Sequence, residues 1–353
     1  MPKVQTLRGM NDISPREAKE WSHVESTLKS IVESYGYEEI RFPLIEKTDL
    51  YTRSNHAADI VTKEMYTFND KSGESISLRP EGTAGCVRAA IDNDLIRTEK
   101  PRLWYSGPMF RYERPQKGRS RQFHQFSAEV IGLNTPAIDA ELIITSARFW
   151  KEFGIYEDVT LEINNLGDEK TRTNFSNELV SFLKNKIDDL DEDTQRKLKE
   201  NPLRILDSKN PKIQDILDKA PLIEDFISED SRKYHSELLS ILDESNIEYK
   251  ANPKLVRGLD YYNQTVFEWK TTLLGSQDTI LGGGRYDNLV EELGGKSCPA
   301  IGFSIGLERL LLLLREKKQI NLSESLDIYF ISLCERSARK AIIVTEILRN
   351  KFP

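Results

Sequence analysis

The chain has 353 residues, of which 38% are hydrophobic and 30% charged, and its formal net charge is −7 at pH 7. This length allows two or three domains with a stable core, and the sequence has no run of about 18 apolar residues that would predict a membrane span. The negative charge argues against a surface covered in nucleic-acid contacts, so a nucleic acid would dock on local basic patches in a salt-dependent way.

The N-terminus and the cysteines both favour a cytoplasmic protein without a structural metal. The first residues, MPKVQTLRGMNDIS, lack the apolar segment of a signal peptide. Cys86, Cys298 and Cys334 are odd in number and far apart, which fits neither a disulfide framework nor a zinc motif. The four histidines are scattered without ligand spacing. We therefore expect small buried cysteines and no metal held by the protein.

The first predicted helix begins at a capping box. In residues 14–17, SPRE, serine is placed to cap the helix, proline takes the first helical position and glutamate the third. Val24, Leu28 and Ile31 recur at helical spacing, and Gly36 is expected to end the helix.

Strand patterns follow this helix. EEIRFPLIE (38–46) predicts a strand, in which Pro43 favours an edge or an interface. MYTFND (65–70) and SISLRPEGT (75–83) predict a hairpin, and VTLEINNLG (159–167) predicts another strand.

A basic hairpin is the most informative single segment. Arg111 to Arg121 holds five Lys/Arg and one Glu, and the flanks WYSGPMFRYE and QFHQFSAEVIG predict antiparallel strands around a mobile loop. Odd-numbered residues would share one face, which puts Arg111, Glu113, Phe123, Gln125 and Glu129 on one floor and turns His124 outward. This pattern indicates phosphate chemistry beside a small pocket, and the simpler interpretation is a hairpin tip with solvated charges.

The composition and periodicity of the sequence change twice more along the chain. From about Gly167 to Asn252, helical spacing of Lys, Asp, Glu and Leu replaces the strand patterns and predicts a helical insertion. After a polar linker, LDIYFISL (326–333) predicts a buried strand and SARKAIIVTEILRNKF (337–352) an amphipathic helix. The predicted domains are a core of residues 1–166 and 253–322, an insertion of 167–252, and a further domain that starts at 326–353.

Two later segments carry the resemblance to a known family. These are LVRGLDYYNQTVFEW (255–269) and GGGRYDNLVEELGGKSCPAIGFSIGLERLLLLL (282–314). With the basic hairpin, they resemble histidyl-tRNA synthetases, which are class II aminoacyl-tRNA synthetases, over nearly the whole chain. The three class motifs match in order at the segment ending in Phe42-Pro43, at residues 110–113 and at residues 306–309. RGLDYY and GGGRYD resemble the histidine-specific signatures.

The resemblance implies an α+β fold and a set of partners. The fold would be an antiparallel class II catalytic sheet flanked by helices, with the helical insertion over the tRNA acceptor end and a partial C-terminal α/β domain that binds the anticodon. The first helix and strand would form a homodimer interface. For the insertion, a helical decoration without a ligand is the alternative. One strand and one helix cannot bury a core, so we expect the chain to be a fragment rather than to end naturally.

The implied activity is ATP-dependent formation of histidyl-adenylate, followed by transfer of histidine to the 3′ end of tRNA(His). Activation requires positioning and cations more than a general base. The catalytic residues would be Arg111 and Arg257, since a guanidinium can hold the α-phosphate and the histidine carboxylate in a bidentate way. Without the resemblance, a turn in which Arg257 pairs with Asp260 would be the simpler interpretation.

The resemblance also implies the remaining contacts of each substrate. Phe123 and Arg309 would sandwich adenine, Glu129 and Tyr262 would read the imidazole, and Mg²⁺ would arrive with the ATP phosphates. The residues expected at ATP are Arg111, Glu113, Arg119, Arg121, Phe123 and Arg309. Those expected at histidine are Glu81, Thr83, Gln125, Glu129, Arg257, Tyr261, Tyr262 and Tyr286. Those expected at the tRNA acceptor are Arg114, Gln116 and Lys117.

Two other functions deserve comparison. The family has catalytically silent relatives, among them a histidine-binding regulatory subunit of ATP phosphoribosyltransferase, which lose parts of the arginine and RGLDYY machinery. Arg111, Arg257 and Arg309 are all present here, which favours an enzyme. A tRNA-binding scaffold without catalysis is disfavoured by the predicted polar pocket. The pair Asn263-Gln264 departs from the commoner Thr-Arg of the family, and we expect a modest effect.

Overall fold

The computed structural model describes residues 3–53, 55, 58–275, 278–320 and 328–351. Its contacts divide the chain into two units, Met1–Ile320 and Asn321–Pro353. None of the described helices combines the length and the apolar character that crossing a membrane would require.

The strands form two sheets. They are β1 (Glu38–Glu39), β2 (Ile45–Lys47), β3 (Thr67–Asn69), β4 (Ser75–Leu78), β5 (Arg102–Phe110), β6 (Gln122–Ile131), β7 (Thr160–Asn165), β8 (Tyr249–Ala251), β9 (Asn263–Lys270), β10 (Thr279–Arg285) and β11 (Ala300–Gly306). The described part of the large sheet has eight strands in the order β1-β5-β6-β11-β10-β9-β7-β8, and the small sheet has the order β2-β4-β3. Pairing is antiparallel except for β1 with β5 and β7 with β8.

The described residues also form twelve helices. They are α1 (Pro15–Ser34), α2 (Asp49–Thr52), α3 (Thr83–Asp92), α4 (Leu95–Thr98), α5 (Pro136–Glu152), α6 (Glu169–Lys184), α7 (Glu192–Glu200), α8 (Pro211–Leu217), α9 (Glu229–Glu244), α10 (Leu289–Glu292), α11 (Leu307–Glu316) and α12 (Glu335–Lys351). Short 3₁₀ turns occur at Tyr156–Asp158, Ile187–Asp189, Pro202–Asp207, Ile223–Phe226 and Thr272–Leu274, and a π-helical turn at Ile60–Glu64.

The predicted start and end of helix α1 are confirmed. The Ser14 and Glu17 side chains form both halves of the capping box. Gly36 follows the last turn with φ of +79°, a conformation that glycine adopts without strain. The helix buries Val24 and Leu28 in the main core, which also contains side chains of α5 and α11. The predicted hairpin of β3 and β4 and the strand β7 are confirmed as well.

The single strand predicted at 38–46 is wrong. β1 pairs with β5 of the large sheet, whereas β2 pairs with β4 of the small sheet. Residues 40–44, including Pro43, form no strand between them. Proline has no N–H to donate to a ladder, and the two halves of the segment join different sheets.

The β5–β6 hairpin confirms the predicted alternation and corrects one detail. Even-numbered Phe126, Ala128 and Val130 of β6 are buried in the core on the side of α1 and α5. Odd-numbered residues of β6 face the opposite side, where the candidate site lies. However, β5 ends at Phe110, so Arg111 and Glu113 lie in the loop after the strand rather than on the sheet floor.

Helices and short turns dominate the predicted insertion, and β8 near its end pairs with β7. The strand predicted at 326–333 is wrong for the residues that are described. Residues 328–333 form no strand and are exposed, and no described strand pairs with them, as a strand requires. Residues 326 and 327 lie outside the described residues. The helix predicted at 337–352 is confirmed as α12. Cys334 is exposed, so the expectation of a buried cysteine is wrong there.

Candidate active site

A cavity of about 260 Å³ opens on the odd-numbered face of β6. It brings together most of the residues predicted for the nucleotide with two of those predicted for the amino acid. The predicted residues that line it are Arg111, Glu113, Arg119, Phe123, Gln125, Arg257 and Arg309. Side chains that the sequence did not single out are Ser120, Glu268, Thr279, Ile280, Ser304 and Glu308.

One end of the cavity is cationic. The Arg111 guanidinium lies 5.0 Å from the centroid of the Phe123 ring, and its Nε donates to the carbonyl of Pro80 at 2.8 Å. Arg309, at the start of α11, donates to the carbonyl of Thr279 at 2.6 Å. Burial lowers the pKa of Arg309, and the neighbouring charges of Arg119 and Arg111 lower it further. A bound anion would relieve this repulsion between like charges.

Arg119 and Arg121 occupy different surroundings. Arg119 pairs with Glu113 at 2.7 Å beside the cavity. The Arg121 guanidinium lies 3.7 Å from the centroid of the Tyr112 ring, and its Nε donates to the carbonyl of Glu113. Arg121 does not line the cavity, so the structure brings Arg119 to the predicted nucleotide site but not Arg121.

Arg257 enters the cavity from the loop before β9. Its guanidinium forms an ion pair with Glu268, which also accepts from the Thr279 hydroxyl at 2.9 Å. Burial lowers the pKa of Arg257, but the carboxylate of Glu268 together with the hydroxyls of Tyr262 and Tyr261 outweighs burial, so the net shift of the pKa is upward and the group stays charged. Gly282 lies opposite, where an added Cβ would overlap the guanidinium.

Three buried polar atoms of the site lack a hydrogen bond to the rest of the described chain. They are Nε of Arg257, Oε1 of Gln125 and Oε2 of Glu113, and only the Glu113 atom has a close ion pair, with Arg119. A buried donor or acceptor without a partner is costly, and such atoms are rare in folded proteins. A donor and an acceptor that remain free in the same cavity fit a polar ligand that carries both an anionic and a cationic group.

A buried cluster of polar side chains surrounds the Glu129 carboxyl group, next to the cavity in the fold. Its oxygens accept from the hydroxyls of Thr83 at 2.9 Å, Tyr105 at 3.0 Å and Tyr286 at 2.5 Å. Burial raises the pKa of Glu129 to about 8, although these hydroxyls favour the charged form. The neighbouring strand contributes Gly302, where a Cβ would overlap the carboxyl group.

Glu81 is another buried carboxyl group, and it lies at the start of α3. It accepts from the backbone N–H of Thr83 at 2.6 Å and of Ala84 at 3.0 Å, so it also caps this helix. Burial raises its pKa. The Tyr261 hydroxyl lies 3.4 Å from Glu81, and the Tyr261 ring packs against those of Tyr262 and Tyr286.

The residues predicted for the tRNA acceptor lie outside both the cavity and the cluster around Glu129. Arg114, Gln116 and Lys117 belong to the loop between β5 and β6 and are exposed. Among the described residues, no group of three or more His, Cys, Asp and Glu side chains could hold a metal. His124 points away from the cavity, as predicted, and its Nδ1 lies 3.0 Å from the Glu308 carboxylate.

Residues of the site that were not predicted include Glu268, Thr279 and Tyr105. Glu268 stands between Phe267 and Trp269 in β9. A carboxylate between apolar residues of a predicted strand could have indicated a functional residue. Tyr105 and Thr279 carried no such signal, because an aromatic or a threonine in a strand is usually explained by packing.

Comparisons with known proteins found a matching family model and similar solved structures. Residues 9–310 match a family model described as histidyl-tRNA synthetase. The structure resembles apo histidyl-tRNA synthetase of S. aureus with a TM-score of 0.80 and 36% identity, over 99% of this chain and 83% of that one. The mixed sheet and flanking helices match the class II fold of this neighbour.

More distant structures share the fold. A protein of Bacillus halodurans titled an ATP phosphoribosyltransferase regulatory subunit/histidyl-tRNA synthetase has a TM-score of 0.71 and 21% identity, over 99% of this chain and 92% of that one. Histidyl-tRNA synthetase of Nostoc sp. PCC 7120 has a TM-score of 0.68 and 20% identity, over 99% of this chain and 83% of that one.

Proposed function

Because the chain belongs to the histidyl-tRNA synthetase family, we propose that it activates histidine with ATP and transfers it to the 3′ end of tRNA(His). The observation that carries this proposal is the convergence of Arg111, Arg257 and Arg309 on one cavity, in a fold that also buries a cluster of carboxyl and hydroxyl groups around Glu129. A phosphate-binding end and an amino-acid-binding end are the two parts that adenylate formation needs.

The cationic end suits ATP. Arg111 and Arg257 would hold the α-phosphate and the histidine carboxylate, and Phe123 with Arg309 would enclose adenine. Glu113 and Arg119 would contact the nucleotide as well. Mg²⁺ would arrive with the ATP phosphates and take ligands from them and from water, which fits a described site without a protein cage for the ion. The negative charge that develops on the phosphate would then meet fixed guanidinium groups.

The buried cluster around Glu129 suits histidine. Gln125 offers an unbonded acceptor to the α-ammonium group, and Glu81 and Thr83 would complete its ligands. Glu129 and Tyr262 would read the two ring nitrogens, since a carboxyl group and a phenol can both donate and accept. Tyr261 and Tyr286 would line the ring pocket.

The tRNA acceptor end would contact the exposed basic loop between β5 and β6 through Arg114, Gln116 and Lys117. Residues 167–252 would form the insertion domain between the two parts of the core, 1–166 and 253–322. Residues 326–353 would begin the anticodon-binding domain. The protein would act in the cytoplasm as a homodimer built on α1 and the segment that ends in Phe42-Pro43.

The alternative function is a histidine-binding regulatory subunit of ATP phosphoribosyltransferase. The shared fold with the Bacillus halodurans protein gives it a basis. It requires the histidine pocket but not the cationic end, so the arginines that line the cavity favour the synthetase.

Histidine-dependent exchange of labelled pyrophosphate into ATP tests the proposal. We expect exchange in the native chain and a loss of about a hundredfold or more in Arg257→Ala, because a fixed charge at the reacting groups is removed. Arg148→Ala, which removes an exposed guanidinium 5.9 Å from the Tyr35 ring, should leave exchange unchanged. Arg257→Lys keeps a positive charge opposite Glu268 and therefore controls for misfolding caused by the loss of that charge. The ammonium group of lysine cannot reproduce the bidentate contact of arginine.

Measurements on the native chain distinguish the synthetase from the regulatory subunit. A folded protein that binds histidine by calorimetry but catalyses no exchange would reject the synthetase and favour the regulatory subunit.

A further inference from the structure

The loop that carries Arg257 and the two pocket tyrosines has two faces with different partners. Residues 252–262 contain neither helix nor strand. On the inner face, Arg257 pairs with Glu268 and the Tyr261 hydroxyl lies near Glu81. Asp260, in the same RGLDYY signature, bonds instead to side chains of the helical insertion. The loop therefore lies between the candidate active site and the insertion.

The insertion contacts the outer face through side chains from separate elements. Arg204, in the 3₁₀ turn Pro202–Asp207, pairs with the Asp260 carboxylate at 3.3 Å and donates to the carbonyl of Gly258. Asn201 donates to the same carboxylate at 2.7 Å. Arg172, on α6, donates to the carbonyl of Tyr262 at 2.8 Å. The contacts thus reach the loop on both sides of Tyr261.

The ion pair between Arg204 and Asp260 is partly shielded from water. The side chains of Arg204 and Asp260 are 12% and 20% exposed, so their attraction is screened less than that of a surface pair. Ile205 and Leu206, which follow Arg204, are buried and fix its backbone in the insertion. The N–H of Asp260 donates to Asn55 from a third part of the chain, which adds a further constraint on the loop.

We propose that Arg204 and Asn201 are positioning residues, which hold the RGLDYY loop through Asp260 so that Arg257, Tyr261 and Tyr262 keep their places in the histidine site. The identity of the ligand rests on the proposed function, whereas the attachment of the loop does not. Histidine affinity would then depend on the position of the insertion, because a displacement of the insertion displaces the loop.

Steady-state exchange kinetics separate this role from a general loss of structure. We expect Arg204→Ala to raise KM for histidine at least about tenfold and to leave KM for ATP within twofold, since charged hydrogen bonds to the loop are lost while the adenine contacts remain. The control is Arg232→Ala, which removes an exposed insertion arginine that donates to the carbonyl of Glu224. Equal effects on both substrates, or none on histidine, would overturn the proposal.

A double-mutant cycle tests whether the effect passes through Asp260. If Arg204→Ala and Asp260→Asn remove one shared interaction, their combined effect on KM for histidine should be smaller than the product of the single effects. Effects that multiply would mean that Arg204 acts by another route and would overturn the proposal.

Amide hydrogen exchange of the ligand-free protein tests the attachment without reference to any reaction. The peptide that spans residues 255–262 should exchange faster in Arg204→Ala than in the native chain or in Arg232→Ala. Unchanged exchange would overturn the proposal. Faster exchange in a chain whose native form neither binds nor activates histidine would support the attachment of the loop and reject the proposed function instead.

Discussion

Glu129 is a carboxyl group in surroundings that disfavour its charge. Hydroxyls of Thr83, Tyr105 and Tyr286 surround it, and burial raises its pKa to about 8. A raised carboxyl pKa means that the folded chain retains a proton that the unfolded chain releases near pH 4.5. The stabilisation is therefore complete below pH 4.5 and is lost as the pH rises through 8.

The comparison of Glu129→Gln with the native chain tests this effect. The glutamine cannot ionise, so the native chain should lose stability relative to the variant between pH 5 and pH 8, by on the order of a few kcal/mol. Urea unfolding at pH 5, 6.5 and 8 measures the difference, with the exposed Glu99→Gln as control. A difference that stays constant, or that favours the native chain at pH 8, would contradict the prediction.

At the level of residues, the sequence predicted which side chains share a face where a strand set the geometry. Alternation along β6 placed Phe123, Gln125 and Glu129 on one face, because neighbouring strand residues point to opposite sides. Arg257 was predicted at the site only from the resemblance to the family, because no local sequence pattern determines where its loop lies. The bonds of Asp260 to Arg204 and Asn201 could not be predicted, because they join residues more than 50 positions apart.

Among the elements, α1 has local sequence signals that agree with its packing. The Ser14 hydroxyl and the Glu17 carboxylate cap its first turn, and Val24 and Leu28 anchor it in the core. Two strands were mispredicted for the opposite reason. Apolar residues at 38–46 and 326–333 fit a strand locally, but a strand exists only where a neighbour supplies hydrogen bonds. Pairing partners cannot be identified from a short apolar run.

Ser14→Ala tests the contribution of the capping box. The loss of the side-chain acceptor should lower the free energy of unfolding by about 1 kcal/mol. Ser26→Ala, at an exposed position inside the same helix, should be neutral or slightly stabilising because alanine has the higher helix propensity. Chemical denaturation measures both. An equal loss in the two variants would show that the cap makes no specific contribution.

Across the whole molecule, one buried ion pair connects the large sheet to its helices. Arg285, at the end of β10, is fully buried and pairs with Asp139 of α5 at 2.9 Å. It also lies 3.1 Å from the hydroxyl of Tyr234 on α9, in the predicted insertion. The Arg285 side chain therefore joins elements from three separate parts of the chain, so its loss should affect the whole of the first unit rather than one helix.

Asp139→Ala leaves the Arg285 charge buried without this carboxylate. We expect a loss of about 3 kcal/mol in the free energy of unfolding, because removing one partner of a buried ion pair is costly even though Arg285 keeps its pair with Asp287 at 2.9 Å. Glu33→Ala breaks the half-exposed pair with Lys29 and should cost less than about 1 kcal/mol. Urea denaturation compares the two variants, and a loss below 1 kcal/mol for Asp139→Ala would contradict the structural role.

The alternation along β6 has a consequence for how this protein can change over generations. Phe126 and Ala128 face the core, whereas Phe123, Gln125 and Glu129 face the site. Neighbouring residues of β6 are therefore subject to different selection. The even-numbered residues affect how much of the protein is folded, and the odd-numbered residues affect which substrate it binds. A lineage could drift toward a new ligand through the odd positions alone and keep its ancestral scaffold intact.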